Sequence, residues 1–142
     1  MVDQVIPRFM PMHMPDATLN QADPVSTQLY TVLDTQTNVK ILSICSKITW
    51  AVTQPTPLDI ICTVDGITWV FRKDNPVSAQ DYLSWITPNL AADLMGDMLA
   101  TSGSPQLYPY LFESRNCKIV AKITWAVTQP TPLVCRVKWS KW

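Results

Sequence analysis

The chain has 142 residues and a formal net charge of zero, and 47% of its residues are hydrophobic whereas only 15% are charged. This length is typical of one domain, and neither a membrane-spanning apolar run nor the basic and apolar start of a signal peptide is present. Small domains usually carry more surface charge, so we expect a soluble protein that buries apolar surface against copies of itself.

The first 24 residues lack the periodicity of a helix or strand. They contain four methionines and four prolines, and they predict an extended arm ahead of a single domain at 25–142. Methionine packs adaptively on irregular apolar surfaces, so this arm is expected to bind neighbouring subunits. The predicted oligomer interface consists of the apolar arm residues Phe9, Met10, Met12 and Met14.

Strands are predicted at 28–33, 38–53, 58–64 and 67–71. The last two flank Asp65-Gly66, which is the strongest short signal for a β-hairpin because both residues tolerate positive φ angles. With Val64 opposite Ile67, the alternating apolar residues of both strands share one buried face.

Twelve residues, KITWAVTQPTPL, occur twice without change, at 47–58 and at 122–133. Apolar residues occupy alternate positions before and after each copy, which is a strand period. The two prolines within each copy interrupt strand pairing there. We therefore predict two equivalent hairpins, with Ile48 opposite Cys62 in the first and Val127 opposite Leu133 in the second. Packing tolerates conservative exchanges, so twelve identities favour a segmental duplication over convergence. A shorter similarity between 24–30 and 76–82 is weak enough to be chance.

The pattern then changes to one typical of helices. Ser78 precedes 79–86 in a sequence that resembles a capping box, and Thr87-Pro88 begins a second helical stretch that reaches residue 100. Further strands are predicted at 107–113, 117–128 and 133–139. The prediction is thus an all-β antiparallel sandwich of about seven strands with a short two-helix crossover, of jelly-roll type or alternatively immunoglobulin-like.

Catalytic chemistry has few candidates in this sequence. A serine or cysteine nucleophile needs a base, and the single histidine lies in the predicted arm. The chain has one glutamate, Glu113, and its three glycines are too far apart for a phosphate-binding loop. We expect a protein that is not an enzyme and that has no cofactor and no metal.

The cysteines and tryptophans favour a structural interpretation. The spacing of the four cysteines does not match a zinc site, and the predicted hairpins keep them apart, so they are expected to be buried reduced thiols. Aromatic platforms could bind sugars or bases. However, strand alternation predicts that four of the six tryptophans face the core, namely Trp50, Trp69, Trp125 and Trp139.

Positive charge concentrates at the C-terminus, where residues 114–142 contain six basic residues and no acid. In the predicted second hairpin, Lys122 opposes Lys138, and directly opposed like charges destabilise a sheet unless an anion covers them. The predicted basic face is Lys118, Lys122, Arg136 and Lys138. A solvated surface, an acidic neighbouring subunit and nucleic acid are the alternatives for it.

Together these features predict a structural subunit that self-assembles. The combination of a single sandwich, a proline-rich arm, low charge and no catalytic set resembles virion coat, head-decoration and similar shell proteins, without a shared motif. The expected partners are copies of itself and other shell proteins, with nucleic acid as an open alternative and no membrane. The alternative function is a ligand-binding sandwich for carbohydrate.

Overall fold

The computed structural model describes residues 12–50, 52, 56–86, 94–100, 110–125 and 131–141. These residues form eleven strands and no helix, so none of them belongs to a helix that could span a membrane. The strands are β1 (Met12–His13), β2 (Ala17–Gln21), β3 (Tyr30–Thr35), β4 (Val39–Ile48), β5 (Leu58–Val64), β6 (Ile67–Lys73), β7 (Tyr82–Ile86), β8 (Leu94–Ala100), β9 (Phe112–Ser114), β10 (Cys117–Ile123) and β11 (Leu133–Lys141).

The strands form the two layers of a sandwich. The first layer has the order β2–β11–β4–β7, with β1 beside the end of β11 and β9 beside the start of β4. The second layer has the order β3–β10–β5–β6. All these pairs are antiparallel. Strand β8 joins the layers at one edge, because it pairs antiparallel with β7 and parallel with β6.

The core lies between the layers and follows the strand period of two. In β4, Ile44, Ser46 and Ile48 are buried and alternate with half-buried residues. Every second side chain is also buried at 58–62 of β5, where Asp59 is buried in addition, and at 133–137 of β11. The alternation in β4 shifts between Ile41 and Ile44, where the register against β11 also shifts, because a bulge inserts one extra residue. The predicted inward faces of β4, β5 and β11 are thus largely confirmed.

The β5–β6 hairpin is confirmed in its register. Val64 pairs with Ile67, and the turn residues Asp65 and Gly66 have φ angles of 50° and 85°. Two successive positive φ angles give the turn the twist that matches its flanking strands.

The two-helix crossover is wrong for the described residues. Residues 82–86 and 94–100 are strands β7 and β8, and 87–93 lie outside the described residues. Ser78 does not cap a helix, because its hydroxyl is hydrogen-bonded to the backbone of Trp50 and Ala79 has a φ of 63°. Downstream, Tyr82 and Ser84 are buried while their neighbours are half-buried, which is a strand period.

The two predicted repeat hairpins are also wrong. Ile48 pairs with Leu133 and Ile123 pairs with Leu58, so each strand of one repeat copy pairs with a strand of the other copy. The reason is that β4 and β5 lie in different layers, as do β10 and β11. The two strands of each copy therefore do not form a hairpin.

Part of the predicted arm belongs to the sheet. Strands β1 and β2 pair with β11, so residues 12–21 extend the first layer at its edge. Residues 1–11 lie outside the described residues, and for them the arm stays a prediction.

Candidate functional site: surfaces of the sandwich

The two copies of the 12-residue repeat occupy equivalent places in the fold. Strands β4 and β5 correspond to β10 and β11 at an offset of 75 residues, and β2 and β3 correspond to β6 and β7 at an offset of 52 residues. The pairings correspond as well, since Cys45 pairs with Leu83 where Val120 pairs with Thr31. The two halves therefore correspond in strand order and pairing, and the second has 23 more residues between β7 and β10, the region that includes β8 and β9.

A serine hydroxyl forms hydrogen bonds between each copy of the repeat and the other half of the chain. The backbone N–H of Trp50 donates to Ser78 Oγ at 3.0 Å, and Ser78 Oγ donates to the Trp50 carbonyl at 3.2 Å. In the equivalent place, the N–H of Trp125 donates to Ser26 Oγ at 3.1 Å, and Ser26 Oγ lies 3.4 Å from the Trp125 carbonyl. We call these two arrangements the serine clamps.

The turns that carry the clamps are the same in detail. The N–H groups of Val25 and Val77 donate to the hydroxyls of Tyr30 and Tyr82 at 2.7 and 2.9 Å. The residues after the serines, Thr27 and Ala79, have φ angles of 66° and 63°, and their N–H groups donate to the carbonyls of Ile123 and Ile48, both at 2.8 Å. The short similarity between 24–30 and 76–82 is therefore structural and not chance.

Exposed apolar side chains flank both clamps. Val52 and Val77 near the first are 67% and 63% exposed, and Val25 and Leu29 near the second are 56% and 58% exposed. We call these two regions the apolar corners. Trp50 and Trp125 are half-buried and pack against the core at the same corners.

The other predicted inward tryptophans are also only half-buried. Trp139 packs against the core, and its indole N–H donates to the carbonyl of Pro15 at 3.0 Å. Trp69 is half-buried on β6. Val52 was also predicted to face inward, and this is wrong because its side chain is exposed. Its equivalent, Val127, lies outside the described residues.

The predicted oligomer interface is partly visible. Phe9 and Met10 lie outside the described residues. Met12 is 61% exposed on β1, and Met14 is half-buried, with its N–H donating to the carbonyl of Trp139 at 3.1 Å. Met12 is therefore available for contacts beyond the subunit, and the role of the four residues stays a prediction.

The four predicted basic residues do not share a face. Lys118 and Lys122 lie on β10 in the second layer, whereas Arg136 and Lys138 lie on β11 in the first. Lys122 pairs with Asp59 and not with Lys138, because β10 and β11 do not pair. The predicted pairing of Lys122 with Lys138 is therefore wrong, and the role of the four basic residues as an interface stays a prediction.

The second layer neutralises much of its own charge. Asp59 is buried on β5, where its carboxylate accepts from Arg72 Nε at 2.7 Å and lies 3.6 Å from Lys122 Nζ. This ion pair raises the pKa of Arg72, with the hydrogen bond to Asp59 as the main cause. Lys118 on the same layer pairs in register with Asp34 of β3.

The outer face of the first layer is charged differently. A groove of about 450 Å³ lies over β4, β11 and β7, and three cations line it, Lys47, Arg136 and Lys138, with Asp81 as the one acid. We call it the outer groove. No ion pair joins these three cations to a carboxylate in the described part of the chain. The remaining lining residues are Ser43, Cys45, Ser46, Leu83 and Val134.

Sequence reasoning missed Lys47 as a member of this surface. It is the duplicate of Lys122, but its cross-strand neighbour is Val134 where Lys122 has Asp59. The offset of 75 residues in the repeat could have shown this difference, because it aligns Asp59 with Val134.

The four cysteines are free thiols in different surroundings. Burial raises the pKa of Cys117 to about 11 and that of Cys135 to about 12, and it raises the pKa of Cys62 well above its usual value. Cys45 is half-buried in the outer groove. Its pKa is raised by burial and by Asp81, against the opposing effect of the three groove cations.

The described residues contain no group of three or more His, Cys, Asp or Glu side chains that could hold a metal ion.

No protein-family model matches the chain, and a search of curated proteins finds no match. The acidic stable capsid structure of Helicobacter pylori bacteriophage KHP30 is similar with a TM-score of 0.47 and 10% identity, over 92% of this chain and 91% of that chain. The structure of infectious bursal disease virus Gx strain is similar with a TM-score of 0.42 and 15% identity, over 99% of this chain and 35% of that chain. Both structures are viral, and similarities of this strength do not assign a function.

Proposed function

We propose that this protein is a non-enzymatic structural subunit that self-assembles into a shell, of the virion coat or head-decoration kind. The observation that carries the proposal is the pair of apolar corners, which place exposed apolar side chains at two places on one subunit, with Val25 and Val77 in equivalent positions. A virion is the location that this function implies, and copies of the chain and other shell proteins are its partners.

The strand order supports the proposal at the level of architecture. Two four-stranded layers with the orders β2–β11–β4–β7 and β3–β10–β5–β6 are the arrangement of a jelly roll, a sandwich found in viral capsid subunits and also in lectin domains. Because one fold serves several functions, the choice between shell and sugar binding depends on the surface.

The apolar corners favour assembly. The repeat is identical even at Val52, which is 67% exposed and is therefore not constrained by core packing. Exposed apolar side chains that lie together, as at each corner, favour association, since contiguous apolar patches on monomers mark interaction sites. Two contact surfaces on one subunit allow it to contact more than one neighbour, as a closed or extended array of copies requires.

The N-terminal segment adds a second kind of contact to the proposal. Strand β1 lies along the end of β11, and Met12 is exposed there. We place the contacts of Phe9 and Met10 on a neighbouring subunit. Limited proteolysis tests this point, because residues 1–11 should be cut in monomers and protected in assemblies, and their deletion should weaken assemblies but leave the fold intact.

The decisive experiment measures assembly of corner variants. Light scattering after size exclusion and negative-stain microscopy should show particles for the parent chain. The double variant Val52→Asp and Val77→Asp should shift the population to smaller species, and Val25→Asp with Leu29→Asp should do the same, because each places two charges in a contact that must be desolvated.

The matched control adds the same charge away from the corners. Gln36→Asp with Asn38→Asp changes two exposed residues in the β3–β4 turn and should leave assembly unchanged. A parent chain that stays monomeric at all concentrations contradicts the proposal and favours the carbohydrate-binding alternative. Equal effects of the corner and control variants would show that net charge and not the corners governs assembly.

A further inference from the structure

We propose that the outer groove binds the phosphodiester backbone of a single-stranded nucleic acid, with Lys47, Arg136 and Lys138 contacting successive phosphates. This is a property of the single domain and does not depend on assembly. The proposal rests on three cations that have no carboxylate partner among the described residues and that line one groove of about 450 Å³ on the outer face of the sheet.

The spacing of the cations fits a linear polyanion. Arg136 and Lys138 are two residues apart on β11, which places them about 6.8 Å apart along the strand. Lys47 lies diagonally across from Arg136, since Arg136 pairs with Cys45, and such diagonal neighbours are about 7–8 Å apart. The three charges thus form a row, and Ser43, opposite Lys138, adds a hydroxyl that can donate to a phosphate oxygen.

The duplication provides an internal control for this assignment. The buried positions of β5 and β11 both keep apolar residues, for example Leu58 and Leu133, which are both fully buried. The outward positions differ in charge: Asp59, Ile61 and Thr63 on β5 correspond to Val134, Arg136 and Lys138 on β11. The second layer therefore pairs Lys122 with an acid, whereas the first layer has Val134 opposite Lys47 and carries two further cations, Arg136 and Lys138.

A second copy of the chain is a poor source of the anion. No two of the eleven acidic residues are two positions apart in the sequence, so no strand of this protein presents carboxylates at the spacing of Arg136 and Lys138. Asp59 is already engaged by Arg72 and Lys122, and Asp65 accepts from the N–H groups of Arg115 and Asn116. A polymer with a charge on every unit meets the requirement directly.

Fluorescence anisotropy with short labelled oligothymidylate and oligouridylate tests the inference. Three phosphate contacts to a single strand predict a slope of about −2 for log K against log salt. The double variant Arg136→Gln and Lys138→Gln should reduce the slope to about −0.7 and weaken binding about 60-fold at 50 mM salt and about tenfold at 200 mM salt. Binding of either oligomer supports a phosphodiester site, and the comparison shows whether DNA or RNA is preferred.

The matched control is Arg115→Gln with Lys118→Gln, which removes the same charge from exposed positions outside the groove. This variant should bind like the parent. No binding by the parent at low salt, or an equal loss in the control variant, overturns the inference. Loss of assembly by the Arg136 and Lys138 variant would instead identify this face as a subunit contact, which also overturns the inference but leaves the proposed function standing.

Cys45 gives an independent readout of occupancy. It lines the groove and is half-buried, whereas the other three thiols are buried, so N-ethylmaleimide should modify Cys45 first. Bound oligonucleotide should slow this modification in the parent and not in the Arg136 and Lys138 variant, with rates compared with and without ligand for each protein. Equal protection by polyglutamate at matched charge contradicts the assignment to phosphate.

Discussion

The serine clamps should contribute measurably and similarly to stability, because each joins the two halves of the chain. Replacing Ser78 with Ala removes the hydrogen bonds at 3.0 and 3.2 Å and leaves the N–H and carbonyl of Trp50 without that partner. At roughly 0.5–1.5 kcal/mol for each hydrogen bond, the expected loss is about 1–3 kcal/mol. Ser26→Ala should cost less, about 1–2 kcal/mol, because one of its two distances is 3.4 Å.

Urea unfolding followed by tryptophan fluorescence measures both losses, and thermal unfolding should show a decrease of about 3 °C for each kcal/mol. Gln28→Ala, in the same turn as Ser26 but exposed, is the matched control and should unfold like the parent. If Ser78→Ala is as stable as the control, water replaces the hydroxyl at no cost and the clamp does not hold the halves together. A loss at only one serine would contradict the energetic equivalence of the two turns.

Three further predictions concern backbone and thiols. Thr27→Gly should stabilise the protein by up to about 1 kcal/mol, and Ala79→Gly should be neutral or stabilising, because both native residues have positive φ; ordinary destabilisation in urea titrations would contradict this. Gly96→Ala should destabilise by about 3 kcal/mol or prevent folding, since an added Cβ would meet the backbone carbonyl of Trp85, and an unchanged melting curve would be the contrary result. Burial raises the pKa of Cys135 from 9.0 to about 12. Above pH 9 the unfolded chain therefore binds fewer protons at this thiol than the folded chain does. The contribution of the buried thiol to the free energy of unfolding is complete below pH 9 and is lost as the pH rises towards 12. Between pH 8 and pH 10 the parent should therefore lose about 1.4 kcal/mol more than Cys135→Ala, and equal losses would argue against the shift.

Local features of the fold were predictable because they depend on neighbours in sequence. The β5–β6 hairpin follows from Asp65-Gly66 and the alternation around it, and both its turn and its register are confirmed. The alternation of buried residues in β4 was also predictable up to the bulge near Ile41. A bulge depends on the partner strand, so the sequence of β4 alone does not contain it.

The choice of strand partners was not predictable from the repeat. Two identical copies offer two sets of pairs with nearly the same side chains: Ile48 can face its own copy's second strand or that of the other copy. The chain adopts the exchanged set, with Ile48 against Leu133 and Ile123 against Leu58. The helix prediction failed for a similar reason, because the hydroxyl of Ser78 bonds to Trp50, which is distant in sequence.

Pairing between the two copies of the repeat affects buried and outward positions differently. Because each half supplies strands to both layers, a substitution on a buried face affects the packing of both halves. The equivalent residues Leu58 and Leu133 are identical and fully buried. Side chains on the outward faces do not pack in the shared core. The equivalent positions opposite the two repeat lysines therefore differ, with Asp59 opposite Lys122 and Val134 opposite Lys47. A domain built in this way can keep one core while its two outer sheet faces take different charges. The outer groove lies on the face where the lysine of the repeat, Lys47, has Val134 and no carboxylate across from it.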